Sequence, residues 1–241
     1  MFSFFKPKPA PINFWPVDMH SHLVPAVDDG SRTPEDTLDM LRQMRDLGMR
    51  KWITTPHIFH EYYRNTPATI RQGLAALNAF LKENNEDFEV SAAAEYYLDD
   101  HLMNNLKAGN ELLTFGNNFL LVETNMISDS QVLNEFAFEA ALRGYQVVLA
   151  HPERYDYLTG NFSRLEDLRD RGVLMQVNLL SLLGHYGPAS RKMAREMIDK
   201  KLFDFAGTDC HNPGHANLLR ELTRDPWVHK LASQELLNHK L

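Results

Sequence analysis

Residues 17–30 read Val-Asp-Met-His-Ser-His-Leu-Val-Pro-Ala-Val-Asp-Asp-Gly, an apolar run that ends in two histidines one residue apart, followed by paired aspartates and a glycine. In an extended segment, residues two apart point to the same side, so His20 and His22 can grip one ion while Ser21 faces away. Gly30 is free to take positive φ and permits a sharp bend that returns Asp29 toward the same place. The pattern decides the fold because it recurs. Apolar runs at 13–19, 50–55, 89–94, 119–123, 146–150, 174–178 and 203–207 alternate with amphipathic helical patterns. That alternation is expected of parallel strands joined by helical crossovers. Most of the runs are too apolar to have a polar face, which predicts strands covered on both sides.

The intervening helices carry their own signals. Thr33 caps the first, Pro34 takes its first position, Leu38, Leu41, Met44 and Leu47 form a stripe, and Gly48 ends it. Thr66-Pro67 repeats that opening, with Ile70, Leu74, Leu77, Phe80 and Leu81 behind it, and Val132, Phe136 and Ala140 supply a later stripe. These stripes read as core packing. Seven β/α units predict an α/β chain folded as a distorted barrel with fewer strands than the usual eight.

In a parallel β/α barrel the chemistry gathers at the carboxyl ends of the strands. Here the runs lead into His20 and His22, into His57, into Glu95, into Glu123, into His151-Pro152-Glu153-Arg154, into Asn178, and into Asp209-Cys210-His211. A lone histidine after a strand is usually a hydrogen-bonded structural residue, but seven strands ending this way is a different matter. With Asp29, the rim would hold five imidazoles and four carboxylates, and carboxylates that close disfavour one another unless cations intervene. Imidazole with carboxylate suits zinc, manganese or iron, and nine ligands exceed what one ion needs. Three divalent ions against four carboxylates would leave a charge of about +2, enough to attract a phosphate.

Composition narrows the alternatives. At 241 residues and 44% hydrophobic content the chain can bury a large core, and residues 13–241 read as one domain behind a flexible tail at 1–12. The aromatics and lysines of that tail make at most a weak surface anchor, and its apolar part is too short for a secretory signal. A net charge of −7 with no long basic run argues against nucleic acid as a partner. The single cysteine, Cys210, excludes an internal disulfide and suits a reducing compartment, so a cytoplasmic location is expected. No stretch approaches the roughly 18 apolar residues of a transmembrane segment.

The stretches DMHSHLVPAVDDG, TTPH ending at His57, AAAEYYLD around Glu95, LLVE ending at Glu123, AHPERY at 150–155, QVN at 176–178 and GTDCHN at 207–212 are similar to those of the polymerase-and-histidinol-phosphatase (PHP) superfamily. Within it the chain resembles the bacterial metal-dependent tyrosine phosphatases linked to capsular and exopolysaccharide synthesis. The resemblance implies a distorted (β/α)7 TIM-like barrel with three divalent ions, manganese first and iron or zinc as alternatives. It implies His20, His22, Glu95 and Asp209 around one ion, Glu95 as a bridge with Glu123 and His151 around a second, and Asp29, His57 and His211 around the third. Arg154 matches the arginine that binds the substrate phosphate. A second arginine common after the aspartate-x-histidine motif is missing here, and His215 or Arg220 is the candidate substitute.

The implied activity is hydrolysis of phosphotyrosine in proteins by a metal-bound hydroxide that attacks phosphorus in line, with a polysaccharide-synthesis tyrosine kinase as a candidate partner. The cysteine-based route requires an arginine six positions after the nucleophile, and six positions beyond Cys210 lies Ala216. Cys210 therefore reads as a packing residue. Tyr62-Tyr63 and Tyr96-Tyr97 follow rim strands as candidates for the mouth of the site, and His60 is close enough to His57 to reach a substrate. His101, His185, His229 and His239 lie off the rim pattern. Two other functions share these residues: a small-molecule phosphatase such as a histidinol-phosphate phosphatase, and a non-catalytic, metal-stabilised interaction protein.

Overall fold

The computed structural model describes residues 10–129 and 132–241, so most of the tail expected at 1–12 lies outside the described residues. The strands are β1 (Val17–Asp18), β2 (Lys51–Thr54), β3 (His57–Ile58), β4 (Glu89–Ala92), β5 (Glu95–Tyr97), β6 (Phe119–Glu123), β7 (Gln146–Ala150), β8 (Leu174–Asn178) and β9 (Phe205–Gly207). The helices are α1 (Pro34–Asp46), α2 (Pro67–Glu83), α3 (Asp100–Ala108), α4 (Val132–Leu142), α5 (Phe162–Asp170), α6 (Leu179–Leu183), α7 (Pro188–Lys200), α8 (Pro213–Leu222) and α9 (Pro226–Ala232). None is long and apolar enough to cross a membrane.

All strand pairs are parallel, but they form two sheets, in the orders β1-β2-β4 and β3-β5-β6-β7-β8-β9. This corrects the expectation of seven unbroken strands. The run at 50–55 stops at Pro56, which has no N–H to give to a ladder, and pairing resumes at His57. The run at 89–94 breaks opposite it, between Ala92 and Glu95. The register is the same on both sides of the break, with Thr54 opposite Ala92 and His57 opposite Glu95. The first run shrinks from 13–19 to Val17–Asp18 because Pro16 precedes it. Beyond β1 and β9 the chain pairs once more, through a parallel bridge between Ser21 and Cys210.

The helix signals are met where they were strongest. Thr33 caps α1 by accepting from Asp36 N–H, and Thr66 and Thr69 form a reciprocal capping box at α2, each cap contributing about 1 kcal/mol. In α4 the buried face is Leu133, Phe136, Ala137 and Ala140, while Val132 is exposed, so the stripe begins one residue later than expected. Val17, Met19, Ile53, Ala93, Leu121, Val148, Ala150 and Phe205 pack together as a small inner core contributed by successive strands. Two larger cores lie between strands and helices. The strands are thus covered on both sides, and the polar residues that follow them gather at one end.

Candidate active site

Most of the residues that follow the strands line one cavity of about 660 Å³, with His20 and His22 set behind its lining. Among the described residues, the side chains whose donor atoms lie close enough to share an ion fall into four overlapping groups: His22, Asp29, His57 and His211; His20, His22 and Glu95; His20, His151 and Asp209; and His57, Glu95 and Glu123. Within each group the donor atoms lie within 4.8 Å of one another. The nine residues are those read from the strand ends. The grouping differs in detail from the one the resemblance implies: His57 Nδ1, not His151, stands 3.1 Å from Glu123 Oε1, and His151 falls with His20 and Asp209.

The rings are aimed by partners behind them. Gln176 Oε1 accepts from His20 Nδ1 at 2.8 Å, Asp28 Oδ2 from His22 Nδ1 at 2.8 Å, and the Asp209 carbonyl from His211 Nδ1 at 2.8 Å. Each bond fixes the tautomer and leaves Nε2 with a lone pair facing the cluster. His20 Nε2 lies 3.3 Å from Glu95 Oε2 and 3.4 Å from Asp209 Oδ1, and His22 Nε2 lies 3.4 Å from both. His57 and His211 approach Asp29 from two sides, each with Nε2 at 3.6 Å. Asp29 is the outermost member, its side chain 53% exposed.

Two of these positions are held in the left-handed backbone region, His151 at φ 34° and Asp209 at φ 50°. Neither is glycine, and such conformations persist only where surrounding contacts over-determine them. Asp209 is tied by its N–H to His20 C=O at 2.8 Å and His151 by its N–H to Gln176 Oε1 at 3.2 Å. The turn carrying Asp28 and Asp29 is closed by Gly30, where a Cβ would meet His22 Cβ at 2.4 Å, so close approach to the His22 loop is what requires glycine.

The electrostatics fit a cation site. Burial disfavours the charged form of His57, but Glu95 and Glu123 outweigh it and raise its pKa to about 9. His22 is likewise drawn well above the usual imidazole range, against burial, by Asp28, Asp209 and Glu95. His211, where burial and the neighbouring His22 act together, is pushed down to about 4. Glu95 and Asp209 are held well below the usual carboxylate range, against burial, by the imidazoles around them. The buried His22 Nε2, His57 Nδ1 and His151 Nδ1 make no hydrogen bond. Divalent ions would satisfy both needs at once, since they take imidazole lone pairs and offset carboxylate charge.

Arg154 lines the same cavity. It donates to Asp209 Oδ2 at 2.9 Å, and its guanidinium lies over the Tyr186 ring, 4.3 Å from the centroid. Asn178 Nδ2 and Tyr186 Oη donate to the same carboxylate oxygen at 2.7 and 3.2 Å. His215 lines the cavity, whereas Arg220 lies outside it and pairs with Asp46 at 3.4 Å. Tyr62, Tyr63 and Tyr97 line the mouth, but Tyr96 is buried and accepts from Leu113 N–H at 2.7 Å. His60 stacks on His101 instead of lining the cavity. Cys210 is fully buried, and burial pushes its thiol well above the usual range.

Sequence reasoning passed over Asp28, Tyr186 and the Asn125-Met126-Ile127 wall. The first had a signal, because a neighbouring carboxylate in the same tight turn is the natural acceptor for the ring nitrogen that His22 does not use for metal. Tyr186 sits in an irregular turn between α6 and α7, where no spacing points to the cavity.

Residues 16–225 match the family described as capsular polysaccharide synthesis, CpsB/CapC. The chain belongs to the CpsB/CapC family. The tyrosine-protein phosphatase YwqE of Bacillus subtilis is 29% identical over 81% of this chain and 77% of its own length. The tyrosine-protein phosphatase CpsB of Streptococcus pneumoniae is 26% identical over 81% of this chain and 83% of its own. A crystal structure from work on those two proteins, there called unique metal-dependent tyrosine phosphatases, superposes with a TM-score of 0.77 at 26% identity. It covers 93% of this chain and 94% of the other. This CpsB/CapC chain therefore shares its family's fold over nearly its whole length.

Proposed function

We infer that the chain is a metal-dependent phosphatase that hydrolyses phosphotyrosine in proteins and acts in capsular or exopolysaccharide synthesis. The observation that carries this reading is that, in a CpsB/CapC-family chain, nine imidazole and carboxylate side chains form one cluster, seven of which line a cavity together with Arg154. Strands β2/β3 and β4/β5 each serve as one interrupted position, and with the Ser21–Cys210 bridge the seven positions read as a distorted PHP-type barrel. The nine residues would hold up to three divalent ions, with manganese the leading candidate and iron or zinc the alternatives. Bound there, such ions supply a nucleophile by lowering the pKa of water and offset the charge on a phosphoryl group.

The chain's own residues do the rest. Gln176 and Asp28 keep the Nε2 atoms of His20 and His22 turned toward the cluster. Arg154, steadied by Asp209 and Tyr186, is placed to fork onto phosphoryl oxygens, and a planar guanidinium suits that task better than an ammonium. His215 stands beside the cavity where a second phosphate contact would be needed. A phenol leaves with a pKa of about 10 and needs little protonation, so aryl phosphates should react faster than alkyl ones. The single buried cysteine and the absence of a membrane-crossing helix among the described residues are compatible with a cytoplasmic role.

Turnover of a phosphotyrosine peptide and of histidinol phosphate, with and without chelator, beside elemental analysis, tests the reading. The peptide should be the better substrate, chelation should abolish both reactions, and two to three transition-metal ions should accompany each chain. Preference for histidinol phosphate would make the chain a small-molecule phosphatase. Metal without any turnover would leave a structural role, which the open cavity and Arg154 disfavour.

A further inference from the structure

The cavity has two unlike walls. One carries Arg154, Asn212 and His215. The other is apolar and continuous: Tyr62 packs on Phe59 with ring centroids 5.0 Å apart, and Phe59 stacks on Tyr97 at 3.9 Å. Met126 and Ile127, from the loop after β6, line the same cavity. Tyr62 is 73% exposed and Ile127 is 75% exposed, although scattered surface apolar residues would need no explanation.

Their exposure is built into the two loops. Phe59 and Tyr63 exchange backbone hydrogen bonds at 2.9 and 2.8 Å, which projects Tyr62 from the turn. Asn125 Oδ1 accepts from Ile127 N–H at 2.8 Å and from Ser128 N–H at 3.2 Å, and Met126 C=O accepts from Asp156 N–H at 2.7 Å. Ile127 is thereby held outward over the same cavity.

We propose that this wall is a subsite for an apolar side chain adjoining the phosphotyrosine, so that the chain selects phosphorylated tyrosines with an aliphatic or aromatic neighbour. The proposal rests on the phosphotyrosine reading and adds to it a sequence preference. A phosphoryl group drawn to Arg154 and the cluster leaves its ring against Phe59 and Tyr97, and the next residue of the peptide then reaches the rim formed by Tyr62 and Ile127. The wall's own side chains are uncharged, the nearby Glu61 and Asp99 disfavour an acidic neighbour, and burying an apolar one removes both surfaces from water.

Three peptides decide the matter, identical except that leucine stands on the amino side of phosphotyrosine, on its carboxyl side, or on neither, with glycine otherwise. kcat/KM is measured for each, and Kd for the same peptides carrying a non-hydrolysable difluoromethylphosphonate in place of the phosphate. One leucine peptide should have a kcat/KM higher, and a Kd lower, than the glycine peptide by on the order of tenfold, the discrimination expected of one apolar contact. In Ile127→Ser and in Tyr62→Ser that ratio should fall toward unity. Equal constants for all three peptides with the parent protein, or a ratio unchanged in both variants, overturns the subsite while leaving the phosphotyrosine reading intact. Hydrolysis of histidinol phosphate but of none of the peptides removes that reading, and the subsite with it.

Discussion

His20, His22, Glu95, His151 and Asp209 on the floor of the cavity are sealed from solvent, whereas Tyr62 and Ile127 at its mouth stand largely in water. The floor is fixed by strand register and by a layer of partners behind it, and each of its side chains has several neighbours that depend on it. The exposed rim of the wall, Tyr62 and Ile127, is fixed by turns. A change on the floor should therefore reach every substrate and the metal content, and a change on the wall should alter only which substrate is preferred.

The sharpest break of that contrast is at Glu95. Four imidazoles approach its carboxylate, from His20 at 3.3 Å, His22 at 3.4 Å, His57 at 3.3 Å and His151 at 3.0 Å. Glu95→Gln keeps the shape and removes the charge around which those rings are arranged. Activity on any phosphate ester should fall at least on the order of a thousandfold, beyond the ten- to hundredfold typical of losing an outer partner. Elemental analysis should find fewer ions per chain than in the parent. Full metal content with near-parental turnover would remove Glu95 from the centre of the site.

Arg154→Lys comes next, because it keeps a positive charge beside Asp209 and the Tyr186 ring but cannot make a planar fork. A loss on the order of a hundredfold in kcat/KM is expected, near the effect of removing one oxyanion donor, with metal content unchanged since arginine is not a ligand. Near-parental kinetics would shift the phosphate contact to His215. Arg220 is too far from the cavity to serve.

Asp28→Asn separates aiming from ligation. Asp28 touches no candidate ion position of its own, yet it receives His22 Nδ1–H and the backbone N–H of His57 and Gly30. An amide accepts less strongly and invites the wrong ring tautomer. Metal affinity should fall ten- to hundredfold, and excess manganese should restore kcat. A variant that excess metal cannot rescue would place Asp28 in a different role.

How much of this was legible in the sequence follows from the same contrast. The floor residues stand at fixed offsets after apolar runs, and backbone geometry alone carries them to one rim, so His20 through His211 were readable one by one. The sheet split was less so, although Pro56 marks it: a residue without an N–H directly follows the run at 50–55. Asp28 and Asp29 are chemically identical neighbours; the sequence reading placed Asp29 at the rim, and the fold adds that Asp28 braces the His22 ring. Tyr186, Met126 and Ile127 lie in irregular loops where no periodicity links position to direction. Tyr96 and Tyr97 make the point within one strand, since alternation buries the first and turns the second to the mouth.

The smallest effect is expected at Cys210, which lies between two floor residues in sequence and yet takes no part in the floor. Its backbone forms the bridge to Ser21, and its thiol, fully buried, sits 3.6 Å from the Asn212 carbonyl. A nucleophilic cysteine must ionise, and both burial and the nearby Asp18 hold this thiol in its neutral form. Serine fits the same space and can donate to the same carbonyl, at the cost of a more polar group in an apolar core. Cys210→Ser should therefore keep kcat/KM within about twofold and lose about 1 kcal/mol of stability, an ordinary value for a point substitution. Thiol alkylation of the native protein should leave turnover unchanged, while chelation abolishes it. A folded, metal-loaded Cys210→Ser protein without turnover would overturn the division between floor and packing, and would bring the thiol into the chemistry.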